Sequence, residues 1–218
     1  MKLIIGNKNY SSWSLRGWLA AKASGQQFEE IRIALFIPGS RERILSHSPS
    51  GKVPCLIDHG LAIWDSLAIC EYLAEKAPGL WPADAAARAI ARAVSAEMHS
   101  GFTDLRQHMT MNIRKDYAGQ GHNAAVDANI ARIEAIWNDC RERFGTRANP
   151  AGPYLFGAFS IADAMYAPVC FRFRTYGVRP AAAAGEYLDA MLAHPLMREW
   201  AAAANAESES IPSEDLYG

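Results

Sequence analysis

The sequence lacks the long apolar runs that anchor or export a protein. None of its uninterrupted apolar stretches approaches the roughly 18 to 20 residues of a membrane span. The opening segment MKLIIGNKNY holds only a short apolar stretch, Leu3 to Ile5, whereas a secretory signal needs about 7 to 15 apolar residues. We therefore expect neither a membrane segment nor a secretory signal.

An excess of charge of either sign is also missing. The formal net charge is -1 over 218 residues, and 50% of the residues are hydrophobic, which is ordinary for a globular protein. This balance gives no general electrostatic attraction to nucleic acid or to an anionic membrane, so we expect neither as a partner.

Cysteine is scarce, and the spacing of the cysteines matches neither a redox motif nor a metal site. The chain has four cysteines, Cys55, Cys70, Cys140 and Cys170. No two of them form a C-x-x-C pair, and none has a histidine at a metal-binding spacing, so we expect no metal site. Scattered cysteines of this kind are typical of reduced, buried side chains in a cytoplasmic protein.

The first 80 residues mix strand and helix patterns. KLIIGN predicts a buried strand, Leu15–Ala23 a helix, and the alternating EEIRIALF a half-buried strand. SPSGKVPCLIDHGLAIW predicts a hairpin that turns at Asp58-His59-Gly60, and Ser66–Lys76 predicts a helix that ends before Pro78. The predicted order is strand, helix, strand, a connection, then two strands and a helix.

After GLWPADA the strand patterns stop and alanine becomes frequent. Helical patterns are predicted over Asp84–Asn112 with a bend at Ser100-Gly101, and over Asn123–Phe144, Ser160–Phe173, Ala181–Ala193 and Leu196–Ala204. We therefore predict two domains: an α/β unit in residues 1–80 and an all-helical unit in residues 84–218.

Three serines lie where the first strand passes into the first helix, in the run NYSSWSLRGW. At least one of Ser11, Ser12 and Ser14 is expected to cap the helix. One cap does not need three hydroxyls, and a hydroxyl at the positive end of a helix can also donate a hydrogen bond to an anion such as a thiolate. The residues alone leave both interpretations open.

A proline opens the third predicted strand, in the run KVPCL. A trans proline at a sheet edge explains it simply. A cis Val53-Pro54 bond would instead turn the backbone N–H and C=O of Val53 outward, where an extended peptide could pair with them.

The run WDSLAICEYL places Asp65 and Ser66 at a predicted helix start. An N-cap beside an acid is one interpretation. The other is a clamp for an α-amino acid end, in which Ser66 and the helix terminus take a carboxylate and Asp65 takes an ammonium group. Lys52 adds a cation for a second carboxylate. Together with the serines and Val53, these residues describe a site for a short thiol peptide.

Over nearly its whole length the sequence resembles the cytosolic glutathione transferases. SSWSLR is similar to the SSCSWR run of their zeta class, the maleylacetoacetate isomerases, and GKVPCL resembles the family's cis-proline strand. WDSLAICEYL resembles its acid-serine helix start, and SIADAMYAP resembles the capping motif of its helical domain. The resemblance implies a thioredoxin-like N-terminal domain, an all-α C-terminal domain, glutathione as co-substrate and a homodimer.

The resemblance also assigns roles to residues. Ser11 aligns with the serine that activates the glutathione thiol, and Ser12 is the fallback if the alignment slips by one. Tyr10 is a weaker rival, because some classes use a tyrosine hydroxyl. The resemblance implies further glutathione contacts by Lys52 to the glycyl carboxylate, Val53 to the cysteinyl backbone, and Asp65 with Ser66 to the γ-glutamyl amine and carboxylate.

The pocket for the second substrate is less clearly marked. Trp13 and the run RQHMTMN, which includes His108, are candidates, although the methionines are as readily explained as core residues. The zeta-class arginine that holds the substrate carboxylate falls at Thr175 here, flanked by Arg172 and Arg174. A small electrophile is the expected second substrate in either case.

Three functions follow from these observations. The leading one is a glutathione transferase that activates the thiol for attack on small electrophiles. The second is a zeta-type glutathione-dependent cis-trans isomerase, and the third is a binding module that has kept the fold and lost catalysis. A disulfide reductase is disfavoured because no cysteine lies at the Ser11 position.

Overall fold

The structure is a computed structural model that describes residues 1–147 and 151–218. A four-stranded sheet lies in the first part of the chain, in the order β2-β1-β3-β4. Its strands are β1 Lys2–Ile5, β2 Glu29–Arg32, β3 Cys55–Asp58 and β4 Leu61–Ile63. Strands β1 and β2 are parallel, and the other two pairs are antiparallel. The predicted strand–helix–strand unit and hairpin are confirmed.

Strand β1 is central because its side chains are apolar on both faces. Leu3, Ile4 and Ile5 are all fully buried, as expected for a strand covered on both sides. The hairpin between β3 and β4 turns at His59 and Gly60, whose φ values of 48° and 84° are the left-handed pair that a two-residue hairpin requires.

Three helices accompany the sheet: α1 Ser12–Ala23, α2 Ser40–Leu45 and α3 Ser66–Lys76. Helix α3 has the predicted bounds. Helix α1 begins three residues before the predicted start, because Ser11 provides the cap there. Helix α2, with the sequence SRERIL, was not predicted and forms within the expected connection.

The rest of the described chain is helical apart from loops and two isolated bridges. Its helices are α4 Ala85–Ser100, α5 Thr103–His108, α6 Ala124–Cys140, α7 Ile161–Tyr176, α8 Ala182–Ala193 and α9 Pro195–Asn205. A single π-helical turn, Arg141–Gly145, extends α6. The fold is therefore the predicted one, a small α/β sheet unit followed by an all-α unit.

The prediction of one long helix over Asp84–Asn112 is wrong at its second half. Helix α4 ends at Ser100, the chain turns at Phe102 with a φ of 60°, and the separate helix α5 follows. The bend predicted at Ser100-Gly101 is therefore a complete break.

Helix α7 lies at the centre of the molecule, packed against α1 of the sheet unit and α4 of the helical unit. It opens with the predicted capping box, in which Asp163 accepts from the Ser160 backbone N–H at 2.8 Å and from its hydroxyl at 2.9 Å. The Asp163 carboxylate also accepts from the Leu155 N–H at 3.1 Å. This acid thus joins the helix start to the loop before it.

All four cysteines are free and buried, as expected. Burial raises the pKa of each thiol, to about 12 for Cys70 and Cys140. Within residues 1–147 and 151–218, no helix has the length and apolar character needed to cross a membrane.

Candidate functional site

The loop from β1 to α1 is fastened by its own serines. Ser11 is the N-cap of α1, where its Oγ accepts from the Ser14 N–H at 3.4 Å and donates to Ser14 Oγ at 2.7 Å. Ser14 Oγ also accepts from the Gly6 N–H at 3.0 Å, which closes the loop. Ser12 is the first residue of the helix and is half-buried. Ser11 and Ser14 therefore cap α1 and close the β1–α1 loop.

The Tyr10 hydroxyl is already engaged. It donates to the Asp215 carboxylate at 3.0 Å, and it accepts from Arg114 at 3.1 Å and from the Ile211 N–H at 3.3 Å. Because a carboxylate only accepts, the Tyr10 hydrogen stays directed at Asp215, whereas the Ser11 hydroxyl is paired with another hydroxyl that can also donate.

The C-terminal segment, residues 206–218, lies against the same loop. The Glu207 carboxylate accepts from the backbone N–H groups of Lys8 at 2.7 Å and Asn9 at 3.0 Å, and its side chain is only 7% exposed. Arg114 donates to the carbonyls of Glu207 and Glu209. Nothing in the sequence pattern predicts this contact, because the two segments lie about two hundred residues apart.

A cavity of about 640 Å³ opens beside Ser11, and we call it the serine cavity. It is lined by residues of the β1–α1 loop, the β2–α2 region, the Val53 loop and the helical unit: Tyr10, Ser11, Ser12, Trp13, Leu35, Phe36, Ile37, Ser40, Arg41, Ile44, Gly51, Lys52, Val53, Arg106, Arg172 and Glu214.

A second cavity of about 450 Å³ adjoins it, and we call it the clamp cavity. Its lining consists of Trp13, Ser50, Lys52, Val53, Pro54, Trp64, Asp65 and Ser66. Trp13, Lys52 and Val53 belong to both cavities. The structure thus brings every predicted glutathione contact to one continuous cleft.

The start of α3 forms one end of the clamp cavity. Asp65 is its N-cap, and its Oδ1 accepts from the N–H groups of Leu67 at 2.8 Å and Ala68 at 3.4 Å. Ser66 is 1% exposed, and its hydroxyl has no hydrogen-bond partner among the described residues. A buried hydroxyl left unpaired at a helix N-terminus is suited to an anionic ligand group.

The Val53-Pro54 peptide bond is cis, which is one of the two states the sequence allows. Strand β3 begins only at Cys55, and the Val53 backbone N–H and C=O form no hydrogen bond to any other described residue. They remain available to an extended peptide in the cleft.

Two guanidinium groups contact the Trp13 ring where the cavities meet. Arg16 lies 4.5 Å and Arg106 lies 4.8 Å from its ring centroid, and the centroids of the His99 and Trp13 rings are 5.3 Å apart in a T-shaped arrangement. His108 does not line either cavity; its ring nitrogen contacts the Asp104 carbonyl at 3.1 Å. Of the two second-substrate candidates, only Trp13 lies in the cleft.

Cations outnumber acids among the charged side chains of the serine cavity. Arg41, Lys52, Arg106 and Arg172 line it, with Glu214 as the only acid among its lining residues. Burial, and then the charge of Arg106, lowers the pKa of Arg172 to about 10, so this guanidinium is still charged at neutral pH. Sequence reasoning missed Arg41 and Glu214, which come from distant segments without a motif.

The described residues contain no group of three or more His, Cys, Asp and Glu side chains placed to hold a metal ion. A ligand in the cleft meets serine hydroxyls, the Val53 backbone, the Asp65 carboxylate and several cationic side chains.

Comparison with known proteins places the chain in a family. Residues 10–76 match the N-terminal domain of glutathione S-transferases, and residues 123–203 match the C-terminal domain. The maleylacetoacetate isomerase of Rattus norvegicus is 38% identical over 167 residues, which cover 72% of this chain and 70% of that protein. The chain belongs to the glutathione S-transferase family and is an enzyme of that type.

Two further proteins resemble this chain, one in sequence and one in structure. A probable maleylacetoacetate isomerase of Caenorhabditis elegans is 34% identical over 128 residues, 57% of this chain and 59% of that protein, so the match spans less than two thirds of the relative. A maleyl pyruvate isomerase, described as a bacterial zeta-class glutathione S-transferase, aligns with a TM-score of 0.66 at 23% identity and covers 97% of this chain and 100% of that one.

A glutathione transferase homologue from Burkholderia, solved with bound glutathione, aligns with a TM-score of 0.67 at 23% identity. The alignment covers 94% of this chain and 98% of that one. Both structural matches establish the fold.

Proposed function

We propose that this protein binds glutathione across the clamp and serine cavities and activates its thiol for attack on small electrophiles. The observation that carries the proposal is the single cleft that joins Ser11 to Asp65 and Ser66 through Lys52 and Val53.

Each part of glutathione has a chemically matched partner along the cleft. The γ-glutamyl carboxylate meets the unpaired Ser66 hydroxyl at the start of α3, and the amine meets the Asp65 carboxylate. The cysteinyl backbone pairs with Val53, and Lys52 takes the glycyl carboxylate. The thiol then lies beside Ser11, which is at the positive end of α1.

Activation consists of stabilising the thiolate. A free thiol has a pKa of about 8.5, and lowering it to about 6.5 requires roughly 2.7 kcal/mol, the scale of one charge-assisted hydrogen bond and a helix terminus. The Ser11 hydroxyl now donates to Ser14 Oγ. Since a hydroxyl both donates and accepts, Ser14 can donate to Ser11 instead, which frees the Ser11 hydrogen for the sulfur.

The test is a titration of the purified protein with glutathione, in which the ultraviolet absorbance of the thiolate is followed across pH. We expect binding with a thiol pKa well below 8.5. Binding without a lowered pKa would leave a glutathione-binding module, and no binding would contradict the proposal.

A second candidate, a zeta-type cis-trans isomerase, is favoured by the cationic lining of the serine cavity. In that reaction the thiolate adds to a cis double bond, the bond rotates, and the thiolate is eliminated. Arg172 and Arg106 would hold a carboxylate of the electrophile, and Arg172 is one helical turn before the position of the zeta-class arginine.

Turnover of a maleyl-type substrate, compared with an uncharged electrophile, separates the two functions. For an isomerase, Arg172→Gln should lower turnover of the charged substrate at least ten-fold more than that of the uncharged one, because it removes one charged hydrogen bond. Arg172→Lys, which keeps the charge, is the control. Equal losses on both substrates, or no maleyl turnover, would leave the transferase.

The homodimer, the cytoplasmic location and the domain bounds 1–80 and 84–218 belong to the same proposal. Leu61 and Trp64 are 57% and 47% exposed at the edge strand β4, which supports burial against a second copy. Four free, buried cysteines fit a reducing compartment. Sedimentation of the purified protein at micromolar concentration tests the dimer.

A further inference from the structure

Asp65, at the amine end of the clamp cavity, is contacted by a side chain of the helical unit that does not itself line the cavity. His99 lies in the last turn of α4, and its Nε2 is 3.0 Å from Oδ2 of Asp65, the N-cap of α3. The contact joins two elements that are more than thirty residues apart and belong to different units of the fold.

The two oxygens of Asp65 have different partners. Oδ1 is occupied by the N–H groups of Leu67 and Ala68, whereas Oδ2 contacts only His99 among the described residues. The Asp65 side chain remains 48% exposed, so the carboxylate keeps lone pairs open to the cleft. His99 therefore contacts the one oxygen that the helix terminus leaves without a partner.

His99 is itself held in place. Its ring centroid lies 5.3 Å from that of Trp13 in a T-shaped arrangement, its side chain is 26% exposed, and its Nδ1 is buried without a hydrogen-bond partner among the described residues. The Trp13 ring is in turn contacted by the guanidinium groups of Arg16 and Arg106. The imidazole thus has one accessible polar contact, and that contact is Asp65.

The protonation state of His99 determines what it does to the carboxylate. Burial lowers its pKa, the nearby charges of Arg16 and Arg106 lower it further, and only Asp65 opposes them. A neutral imidazole must carry its hydrogen on Nε2, because a lone pair there would face a carboxylate oxygen. It then orients Asp65 without cancelling its negative charge, whereas a lysine or arginine would compete with an incoming ammonium group.

We propose that His99 is a positioning residue, which holds the Asp65 carboxylate in the orientation that receives the γ-glutamyl amine of glutathione. The inference rests on the proposed function, and it adds that a residue of the helical unit orients the carboxylate of the amine site.

The test compares two ligands by calorimetry: glutathione and deaminoglutathione, the same tripeptide without the γ-glutamyl amine. The wild-type protein should bind glutathione about ten-fold more tightly, the scale of one charged hydrogen bond. His99→Phe keeps a ring against Trp13 and removes Nε2. It should lower that preference to about three-fold or less, while the affinity for deaminoglutathione changes by less than about two-fold.

Two further variants make the result specific. His99→Gln places an amide donor near Oδ2 and should restore part of the preference, and it also replaces His99→Phe if that variant does not fold. His122→Asn is the matched control, because His122 lies 2.7 Å from Asp127 in an exposed pair that lines neither cavity, and it should bind both ligands as the wild type does.

The outcomes that overturn the inference are distinct from failure of the proposed function. If His99→Phe keeps the wild-type preference, or weakens both ligands equally, His99 does not position Asp65 although glutathione still binds. If the wild-type protein binds glutathione and deaminoglutathione equally, Asp65 does not contact the amine, and the inference about His99 is wrong. A wild-type protein that binds neither ligand would contradict the proposed function itself.

Discussion

The observed and the proposed roles of Ser11 make different demands on one hydroxyl. As the N-cap of α1 it accepts a hydrogen bond, and as the activator of a thiol it must donate one. Ser14 makes the two compatible, because its hydroxyl is 2.7 Å away and can take either role in their mutual bond.

Ser11→Ala should leave the affinity for glutathione within a few-fold and lower turnover by roughly 10- to 1000-fold, the effect of losing one electrostatic donor. It should also cost about 1 kcal/mol of stability through the lost cap. Steady-state kinetics with a fixed electrophile, together with thermal unfolding, measure the two effects separately.

Ser12→Ala is the matched control for this prediction. Ser12 lines the same cavity as Ser11, but its side chain caps nothing and forms no hydrogen bond within the described residues. We expect it to keep most of the activity. If Ser12→Ala lost turnover while Ser11→Ala kept it, the activating hydroxyl would be one residue further along the chain.

The residues of the clamp can be predicted from the sequence because their signals are local. Asp65 and Ser66 follow from a helix start, and Val53 follows from the proline after it. His99 and Arg172 have no local signal of this kind. Arg172 reaches the serine cavity and His99 reaches Asp65 only because α7 packs against α1 and α4 packs against α7, and a helical pattern does not report which neighbour a polar side chain meets.

At the level of helices and strands, the break between α4 and α5 is stabilised by a contact that the sequence pattern does not predict. The sequence pattern predicts one helix over Asp84–Asn112 with a bend at Ser100-Gly101. Arg106 instead donates to the carbonyls of Met98 and His99, which closes the end of α4 from the next helix. The break thereby places the Arg106 guanidinium over Trp13 and the His99 ring at its edge.

The start of α7 gives a pH-dependent prediction. Burial raises the pKa of Asp163 from 3.8 to about 6, although three hydrogen bonds to its carboxylate oppose that shift. Because the folded pKa is the higher one, the folded state binds more protons than the unfolded state between about pH 4 and 6. The stability from this group is therefore present at low pH and is lost as the pH rises through that window.

Asp163→Asn isolates this effect because the amide does not titrate. The wild type should be more stable than the variant at pH 4, and the difference should shrink by on the order of 2 to 3 kcal/mol by pH 7. Denaturant unfolding at fixed protein concentration measures it. A difference that stays constant or grows with pH would mean that the hydrogen bonds outweigh the cost of burying the charge.

At the scale of the whole molecule, the fold class follows from composition, whereas the assembled cleft does not. The change from alternating strands to alanine-rich helices after GLWPADA predicts the sheet unit and the helical unit. The contact of Glu207 with the Lys8 and Asn9 backbone, and of Asp215 with Tyr10, joins opposite ends of the chain through side chains that no periodic pattern marks. Such contacts depend on the packed structure and were beyond sequence reasoning.

The burial of every cysteine has a consequence for the proposed reaction with electrophiles. Compounds that react with an activated thiolate in the cleft would also alkylate any accessible thiol of the protein itself. Cys55, Cys70, Cys140 and Cys170 are all buried, and the pKa of each thiol is raised, so very little of any of them is ionised at neutral pH. If the proposed function holds, the protein is protected from inactivation by its own substrates, and each electrophile is directed to a thiol that the protein can release.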